Sequence, residues 1–254
     1  MSDVVLEAQH IAINFGGLKA VNDFNLTLRQ GELVGLIGPN GAGKTTVFNI
    51  LTGVYKATEG DYFVNGEKIS DPTTFKLVRK GLVRTFQNIR LFNKMSVLEN
   101  ILCAENFNMS YSKLEGIFRL PKYWSEEKAA RERAMELLSI FKLDQYANLD
   151  AESLPYGKQR QLEIVRALAS SPNILLLDEP AAGMNERETK ELMESIAFIR
   201  EKFNLAIFLI EHDMDLVLGI CEKLIVLNHG EILAQGDPKD VIQNPAVIEA
   251  YLGG

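Results

Sequence analysis

Residues 31–51 read GELVGLIGPNGAGKTTVFNIL, and the fold class can be predicted from them. The apolar run at 31–38 is typical of a strand that is buried on both faces of a sheet. A glycine-rich turn follows it, and the sequence then predicts a helix over residues 44–54. A buried strand that passes through a short turn into a helix predicts an α/β core with a mostly parallel sheet.

The turn matches G-x-x-x-x-G-K-[ST], a pattern that holds phosphate groups when it lies between a strand and a helix. Its glycines let backbone N–H groups surround phosphate oxygens, and the helix N-terminus adds the positive end of a dipole. Lys44 can reach the terminal phosphates, and the Thr45 hydroxyl can bind Mg²⁺. The predicted nucleoside triphosphate site consists of Gly38, Pro39, Asn40, Gly41, Ala42, Gly43, Lys44, Thr45 and Thr46.

The sequence ILLLDEP at 174–180 supplies a second part of such a site. A carboxylate at the end of a buried strand can hold Mg²⁺, which suits Asp178, and Glu179 is then placed to activate an attacking water. Guanine is not favoured, because the nearest match to the N-K-x-D motif, at residues 93–96, reads NKMS. Phe15 can stack on adenine, although an isolated aromatic residue is equally typical of a core. These residues predict a bound nucleoside triphosphate with Mg²⁺, with its base left open.

The rest of the chain divides into a core and an insert. Strands are predicted at 4–15 and 24–30, a hairpin with an Asn-Gly turn at 62–69, helices that begin at a serine at 96–107 and 125–143, and renewed α/β alternation from 173 to 236. We expect a nucleotide-binding core at 1–89 and 171–254, with a helical subdomain at 90–170. The aromatic stretch at 107–124 leaves two interpretations open, rings that cap the insert or an exposed docking surface.

Composition excludes several classes of protein. The formal charge of −7 and the pI near 5.2 argue against a nucleic-acid surface, which needs a basic footprint. Cys103 and Cys221 lie in apolar stretches without metal-ligand spacing, so both are expected in the core. No secretory signal is recognised, and no apolar stretch approaches the roughly 20 residues of a membrane span. We therefore expect a soluble, cytosolic chain, which another chain must recruit if it works at a membrane.

Together these motifs resemble those of the ATP-binding cassette (ABC) proteins, the ATPase subunits of ABC transporters. Nearly the whole chain takes part, and the motifs follow the family's order: Phe15, the phosphate loop, Gln87, the signature turn at 154–158, Asp178–Glu179, the turn at 181–185 and His212. The resemblance implies a P-loop NTPase core with an antiparallel β subdomain and an inserted helical subdomain. It also implies that Gln87 binds Mg²⁺, senses the γ-phosphate and acts as a hinge, and that His212 hydrogen-bonds the γ-phosphate.

In that family two cassettes pair head to tail, and the signature of one covers the ATP on the phosphate loop of the other. The family usually has L-S-G-G-Q, whereas this chain has Leu154, Pro155, Tyr156, Gly157 and Lys158. Pro155 supplies neither a hydroxyl nor an N–H, so two donors to the γ-phosphate are missing, while the Gly157 N–H and the Lys158 charge remain. Asn185 stands at the dimer-interface turn where aspartate is usual. We expect a fully equipped phosphate loop and a weaker site under the signature.

Within the family, the chain resembles the ATPases of branched-chain amino acid importers. The shared features are the L-P-Y-G turn, the stretch at 107–124, RTFQNIRLF at 84–92 and the final AYLGG. The resemblance implies ATP hydrolysis coupled to uptake of leucine, isoleucine and valine, at the cytoplasmic face of the inner membrane. The implied partners are a second ATPase subunit, two transmembrane permease subunits and, indirectly, a periplasmic solute-binding protein. A hetero-pair is expected, with a homodimer left open.

Two alternatives stay open on the sequence. An ABC exporter of lipid or lipopolysaccharide has a similar size and a similar C-terminal Tyr-Leu-Gly, but its signature usually keeps serine, so Pro155 is the discriminating residue. A soluble ABC ATPase of translation or DNA repair typically carries two cassettes or a long coiled-coil insert. The single set of motifs and the acidic charge disfavour that class.

Overall fold

The computed structural model describes residues 3–252, without the side chains of Phe107, Lys113 and Leu252. The two residues at each end of the predicted core, including the last glycines of AYLGG, and the ring of Phe107 lie outside the described residues. Up to Gln87 the elements are β1 (Val4–Phe15), β2 (Leu18–Arg29), β3 (Leu33–Ile37), α1 (Lys44–Leu51), β4 (Glu59–Val64), β5 (Glu67–Lys68), α2 (Thr74–Arg79) and β6 (Leu82–Arg84).

The chain then passes through helices before the alternation of strands and helices returns. The helices are α3 (Val97–Glu105), α4 (Lys113–Ile117), α5 (Pro121–Ile140) and α6 (Tyr156–Leu168). The elements after them are β7 (Ile174–Asp178), α7 (Glu186–Phe203), β8 (Ala206–Ile210), α8 (Met214–Ile220), β9 (Lys223–Asn228), β10 (Glu231–Gly236), α9 (Pro238–Ile242) and α10 (Pro245–Leu252).

Contacts between residues divide the chain into two compact units. The first unit comprises the chain up to Gln87, Asn173–Ala182 and the chain from Glu186 onward. The second unit comprises Asn88–Pro172 and Gly183–Asn185. The sequence-based domain limits place 183–185 in the core, and that division stays a prediction.

The larger sheet of the first unit has the strand order β10-β9-β3-β8-β7-β6. Neighbours from β9 to β6 are parallel, and β10 pairs antiparallel with β9. Strands β3, β7 and β8 are buried along their whole length, as their continuous apolar runs predict. Because parallel strands end at one edge, the phosphate loop after β3 and Asp178 at the end of β7 share that edge.

The smaller sheet of the first unit has the order β2-β1-β4-β5 and is antiparallel throughout. The predicted hairpin turn lies at Asn65 and Gly66, which both have positive φ, 51° and 77°. An apolar core joins the two sheets and α1, with Phe24, Phe48 and Phe208 among its fully buried side chains.

The second unit corrects two expectations. Helix α5 begins at Pro121 and not at Ser125, because a proline at the first position starts a helix without losing a hydrogen bond. Cys103 is exposed, since it lies on the face of α3 opposite buried Ile101. Its predicted place in the core was therefore wrong. Cys221, in the first unit, is buried as expected, and burial raises the pKa of its thiol to about 12.

Other features of the second unit agree with the sequence. Ser96 caps α3, where its hydroxyl accepts a hydrogen bond from the Glu99 N–H and Glu99 accepts one from the Ser96 N–H. In the aromatic stretch, the rings of Tyr111 and Tyr123 pack edge to face at 5.2 Å. Several apolar side chains beside them are exposed, namely Leu114, Ile117, Phe118 and Trp124. The packed tyrosine rings support the interpretation that the stretch caps the insert. The exposed apolar side chains support the interpretation that it is a docking surface.

Among the helices that the structure describes, none is both long and apolar enough to cross a bilayer.

Candidate nucleotide site

A cavity of about 470 Å³ lies at the phosphate loop of the first unit. Its lining consists of Phe15, Leu18, Lys19, Ala20, Asn40, Gly41, Ala42, Gly43, Lys44, Thr45, Thr46 and His229. The predicted residues Gly38 and Pro39 do not line it, and instead accept hydrogen bonds from the Lys44 ammonium. The cavity therefore places the loop, the start of α1 and the candidate adenine-stacking ring around one space.

The phosphate loop needs glycine at two positions for different reasons. Gly43 caps α1 at φ 103°, and a Cβ there would lie 2.7 Å from the Ala20 carbonyl oxygen. A Cβ on Gly38 would lie 2.0 Å from the Leu227 carbonyl oxygen. Both contacts are shorter than packed atoms allow, so any larger residue would displace the loop from β2 or β9.

Lys44 is buried at the start of α1, where its ammonium donates to the carbonyl oxygens of Gly38 at 2.6 Å and Pro39 at 2.9 Å. Burial lowers the pKa of Lys44, while the nearby carboxylates of Glu179 and Asp178 oppose that shift. Thr45, the next residue, is exposed. The helix thus begins with a cation held by backbone carbonyls and an accessible hydroxyl.

Phe15 is 45% exposed and packs edge to face on Tyr55, with ring centroids 5.3 Å apart. Its exposed ring in the cavity favours the stacking role over the core role. Lys19 and His229 also line the cavity, and the sequence analysis missed both. The turn that carries His229 is tied to the loop, because the Gly230 N–H donates to the Ala42 carbonyl at 2.9 Å. No local pattern predicts this contact between distant parts of the chain.

Glu179 follows β7 with a left-handed backbone, φ 47°, and its N–H donates to the Ile210 carbonyl at 2.9 Å. Its carboxylate accepts a hydrogen bond from the Gln87 amide at 2.9 Å and lies 3.9 Å from Nδ1 of His212. A non-glycine residue in this conformation costs of order 1–3 kcal/mol, and such strain is common at functional sites. Gln87, Glu179 and His212, far apart in sequence, meet here.

Glu211 is a further residue of this edge that the sequence analysis missed. It is buried, and its carboxylate accepts hydrogen bonds from the N–H groups of Ala181 at 2.8 Å and His212 at 3.0 Å. Burial raises the pKa of Glu211, and these backbone donors oppose the shift. The carboxylate thereby joins the turn after Glu179 to the residue that carries the imidazole. A signal existed, since Glu211 stands between an apolar strand and His212.

The signature turn lies in the second unit, where Pro155 caps α6 without a side-chain hydrogen bond. Leu154 and Gly157 are buried, whereas Tyr156 is 47% exposed. A Cβ on Gly183 would lie 2.9 Å from the Tyr156 ring. Glycine at this position therefore leaves room for the ring.

The Lys158 ammonium donates to the Gln161 side chain at 2.9 Å, along its own helix. Asn185 is exposed in the same unit. How the signature residues and Asn185 act across a pair of chains stays a prediction.

Comparisons with known proteins agree with this architecture. Residues 21–182 match the family described as ABC transporter, and residues 231–254 match the family described as branched-chain amino acid ATP-binding cassette transporter. The chain is 47% identical over 253 residues to the high-affinity branched-chain amino acid transport ATP-binding protein BraF of Pseudomonas aeruginosa, and the match covers 100% of this chain and 99% of the relative. The corresponding protein LivG of Escherichia coli K12 has the same identity and coverage.

A solved structure matches equally completely. The ADP conformation of MJ1267, an ATP-binding cassette of an ABC transporter, superposes with a TM-score of 0.86 at 31% identity and covers 100% of both chains. These matches confirm the predicted family and the P-loop NTPase fold class with its mixed sheets. The chain therefore belongs to the ABC transporter family, as an ATP-hydrolysing cassette of its branched-chain amino acid transport group.

Proposed function

We propose that this cassette binds ATP with Mg²⁺ on its phosphate loop and hydrolyses it to drive uptake of branched-chain amino acids through separate membrane subunits. The observation that carries the chemical part is the meeting of Gln87, Glu179 and His212 at the edge where Asp178 also lies. The transport part is supported by the relatives' names, which describe branched-chain amino acid transport.

The phosphate loop supplies the binding step. Backbone N–H groups at residues 40–46 and the N-terminus of α1 surround phosphate oxygens, and the Lys44 ammonium neutralises the terminal phosphates. Because Lys44 is held by two carbonyls, a γ-phosphate replaces or shares contacts that already orient the amine. Phe15 stacks on the base, a contact that tolerates different bases.

Mg²⁺ prefers oxygen ligands and usually keeps several waters. The Thr45 hydroxyl, the Asp178 carboxylate and the Gln87 amide oxygen are such ligands, so the residues present fit this ion. When bound, the ion neutralises charge on the β- and γ-phosphates.

Glu179 acts as the general base. Its carboxylate is anchored by the Gln87 amide at 2.9 Å, and its side chain is only 19% exposed, so it takes a proton from a water at a fixed position. His212 is 63% exposed beside it and donates a hydrogen bond to the γ-phosphate. The Glu211 carboxylate positions His212 by accepting a hydrogen bond from the His212 backbone N–H. Gln87 connects the base to the segment leading into the second unit, which suits a hinge.

The partners follow from membership of a transporter group. The chain acts with transmembrane permease subunits, peripherally at the cytoplasmic face of the membrane, and a periplasmic protein delivers the solute. A second, different cassette supplies a fuller signature, because Pro155 lacks two phosphate donors. The relatives favour this importer over a lipid exporter or an ATPase of translation or DNA repair.

Uptake in living cells tests the proposal. Cells that lack the gene for this chain are complemented with the wild type or with Glu179→Gln, and entry of labelled leucine, isoleucine, valine and histidine is measured. We expect the wild type alone to restore the three branched-chain amino acids, with histidine unchanged. Equal restoration of uptake by Glu179→Gln would contradict the proposed role of ATP hydrolysis. Restoration of histidine uptake alone would contradict the proposal that the transported solutes are branched-chain amino acids.

A further inference from the structure

Arg84, the last residue of β6, lies directly behind the candidate magnesium carboxylate. Its Nη2 donates to Oδ2 of Asp178 at 2.6 Å, and the side chains of the pair are only 6% and 3% exposed. Its Nη1 donates to Oδ1 of Asn49 at 2.7 Å and to Oγ1 of Thr52 at 3.2 Å. Asn49 belongs to α1, the helix that begins with Lys44 and Thr45, and Thr52 directly follows that helix.

The packing around Arg84 leaves the guanidinium little freedom. The ring centroids of Phe48 and Phe86 lie 5.4 Å and 5.3 Å from Cζ of Arg84. Its Nε is buried without a hydrogen-bond partner among the described residues. A buried ion pair is often no more stabilising than apolar side chains of the same volume, and an unpaired buried donor is costly. Stability alone therefore does not explain an arginine at this position.

We propose that Arg84 is a positioning residue that fixes the Asp178 carboxylate relative to helix α1. One planar group spans both elements, so the separation between the Thr45 hydroxyl and the Asp178 carboxylate, the two candidate Mg²⁺ oxygens, is held constant. A lysine keeps the charge but cannot reach three acceptors in one plane. The inference rests on the proposed use of Asp178 as a magnesium carboxylate.

The test measures metal dependence separately from hydrolysis. Binding of a fluorescent ATP analogue to the full chain is titrated with Mg²⁺ and repeated in EDTA, for the wild type, Arg84→Lys and Asp178→Asn. Replacing groups that orient metal ligands typically weakens metal affinity about 10–100-fold, so we expect Arg84→Lys to raise the half-saturating Mg²⁺ concentration about tenfold. Binding in EDTA is expected to stay close to wild type, whereas the melting temperature should fall modestly, because lysine leaves acceptors of the guanidinium without a donor.

A matched control and a second variant keep the result interpretable. Arg200→Lys alters an ion pair with Glu222 elsewhere in the first unit, at 2.8 Å, and should leave the Mg²⁺ titration unchanged. Asn49→Ala removes one anchor of the guanidinium and should shift the titration in the same direction by a smaller factor. If Arg84→Lys does not fold, Asn49→Ala decides, since an unshifted titration would then overturn the proposal.

The outcomes separate this inference from the proposed function. A normal Mg²⁺ titration for Arg84→Lys with a lower melting temperature would show a structural role only and overturn the inference. If Asp178→Asn shifts the titration and Arg84→Lys does not, the inference alone fails. If neither variant shifts it, the magnesium role of Asp178 fails as well.

Discussion

Helices α1 and α6 both begin at a turn that can face phosphate, but the two turns offer different donors. Gly43 caps α1 in a left-handed conformation, and a buried ammonium and an exposed hydroxyl follow it at Lys44 and Thr45. Pro155 caps α6, has no N–H, and makes no side-chain hydrogen bond. This difference supports the proposal that the chain binds its own nucleotide well and supplies fewer phosphate donors to the site of a partner chain.

The largest effect on ATP hydrolysis is expected at Glu179, the proposed general base. A general base contributes typically 10²–10⁴-fold, so Glu179→Gln should lower ATP hydrolysis by at least about 10²-fold. Affinity for ATP should change little, because glutamine keeps the shape and a hydrogen-bonding oxygen. Steady-state phosphate release and equilibrium binding of a fluorescent ATP analogue measure the two quantities.

Glu194→Gln is the matched control for that measurement, since Glu194 is exposed on α7. It should hydrolyse ATP like the wild type. Hydrolysis by Glu179→Gln close to the wild-type rate would remove the base assignment.

An intermediate effect is expected at Phe15, which lines the cavity at the phosphate loop. Stacking of a base on an aromatic ring is worth about 1–3 kcal/mol, so Phe15→Leu should weaken ATP binding about fivefold or more. Phe15→Trp should restore the affinity, because it restores a stacking surface. Titration calorimetry with ATP compares the three proteins. Equal affinity for Phe15→Leu and the wild type would return Phe15 to a purely structural role beside Tyr55.

The smallest effect is expected in the signature turn, at Lys158. Its ammonium already donates to Gln161 on the same helix, so it supplies little to a partner's phosphate. An exposed or partly exposed ion pair contributes only about 0–1 kcal/mol, so Lys158→Gln should change the hydrolysis rate of paired chains by less than about fivefold. A tenfold loss in the same phosphate-release assay would show that Lys158 replaces the donors that Pro155 lacks.

Local patterns in the sequence predicted much of the first unit. The buried strand, the glycine turn and the helix at 31–51 are specified by neighbouring residues, and so are the Asn65–Gly66 hairpin and the Asp178–Glu179 pair. Gln87 and His212 were found only through the family resemblance, because their meaning depends on Glu179.

Other features depend on contacts between distant parts of the chain and carried weaker local signals. Arg84, Lys19 and His229 reach the site through tertiary packing, which a single sequence does not display. The start of α5 and the exposure of Cys103 were missed for a different reason. Ser125 resembled a helix cap, but α5 already begins at Pro121. The apolar neighbours of Cys103 resembled a core segment, but Cys103 lies on the exposed face of α3.

The most direct measurement is ATP hydrolysis per chain over a wide range of protein concentrations, for the wild type and for Pro155→Ser, with Glu179→Gln as the blank. If the phosphate loop is complete and the signature is weak, the wild-type rate stays low at every concentration. Pro155→Ser, which restores a hydroxyl and an N–H at the cap of α6, then rises with concentration to a higher plateau. A wild-type rate that climbs to the same plateau as Pro155→Ser would contradict the weak signature and the need for a different partner cassette.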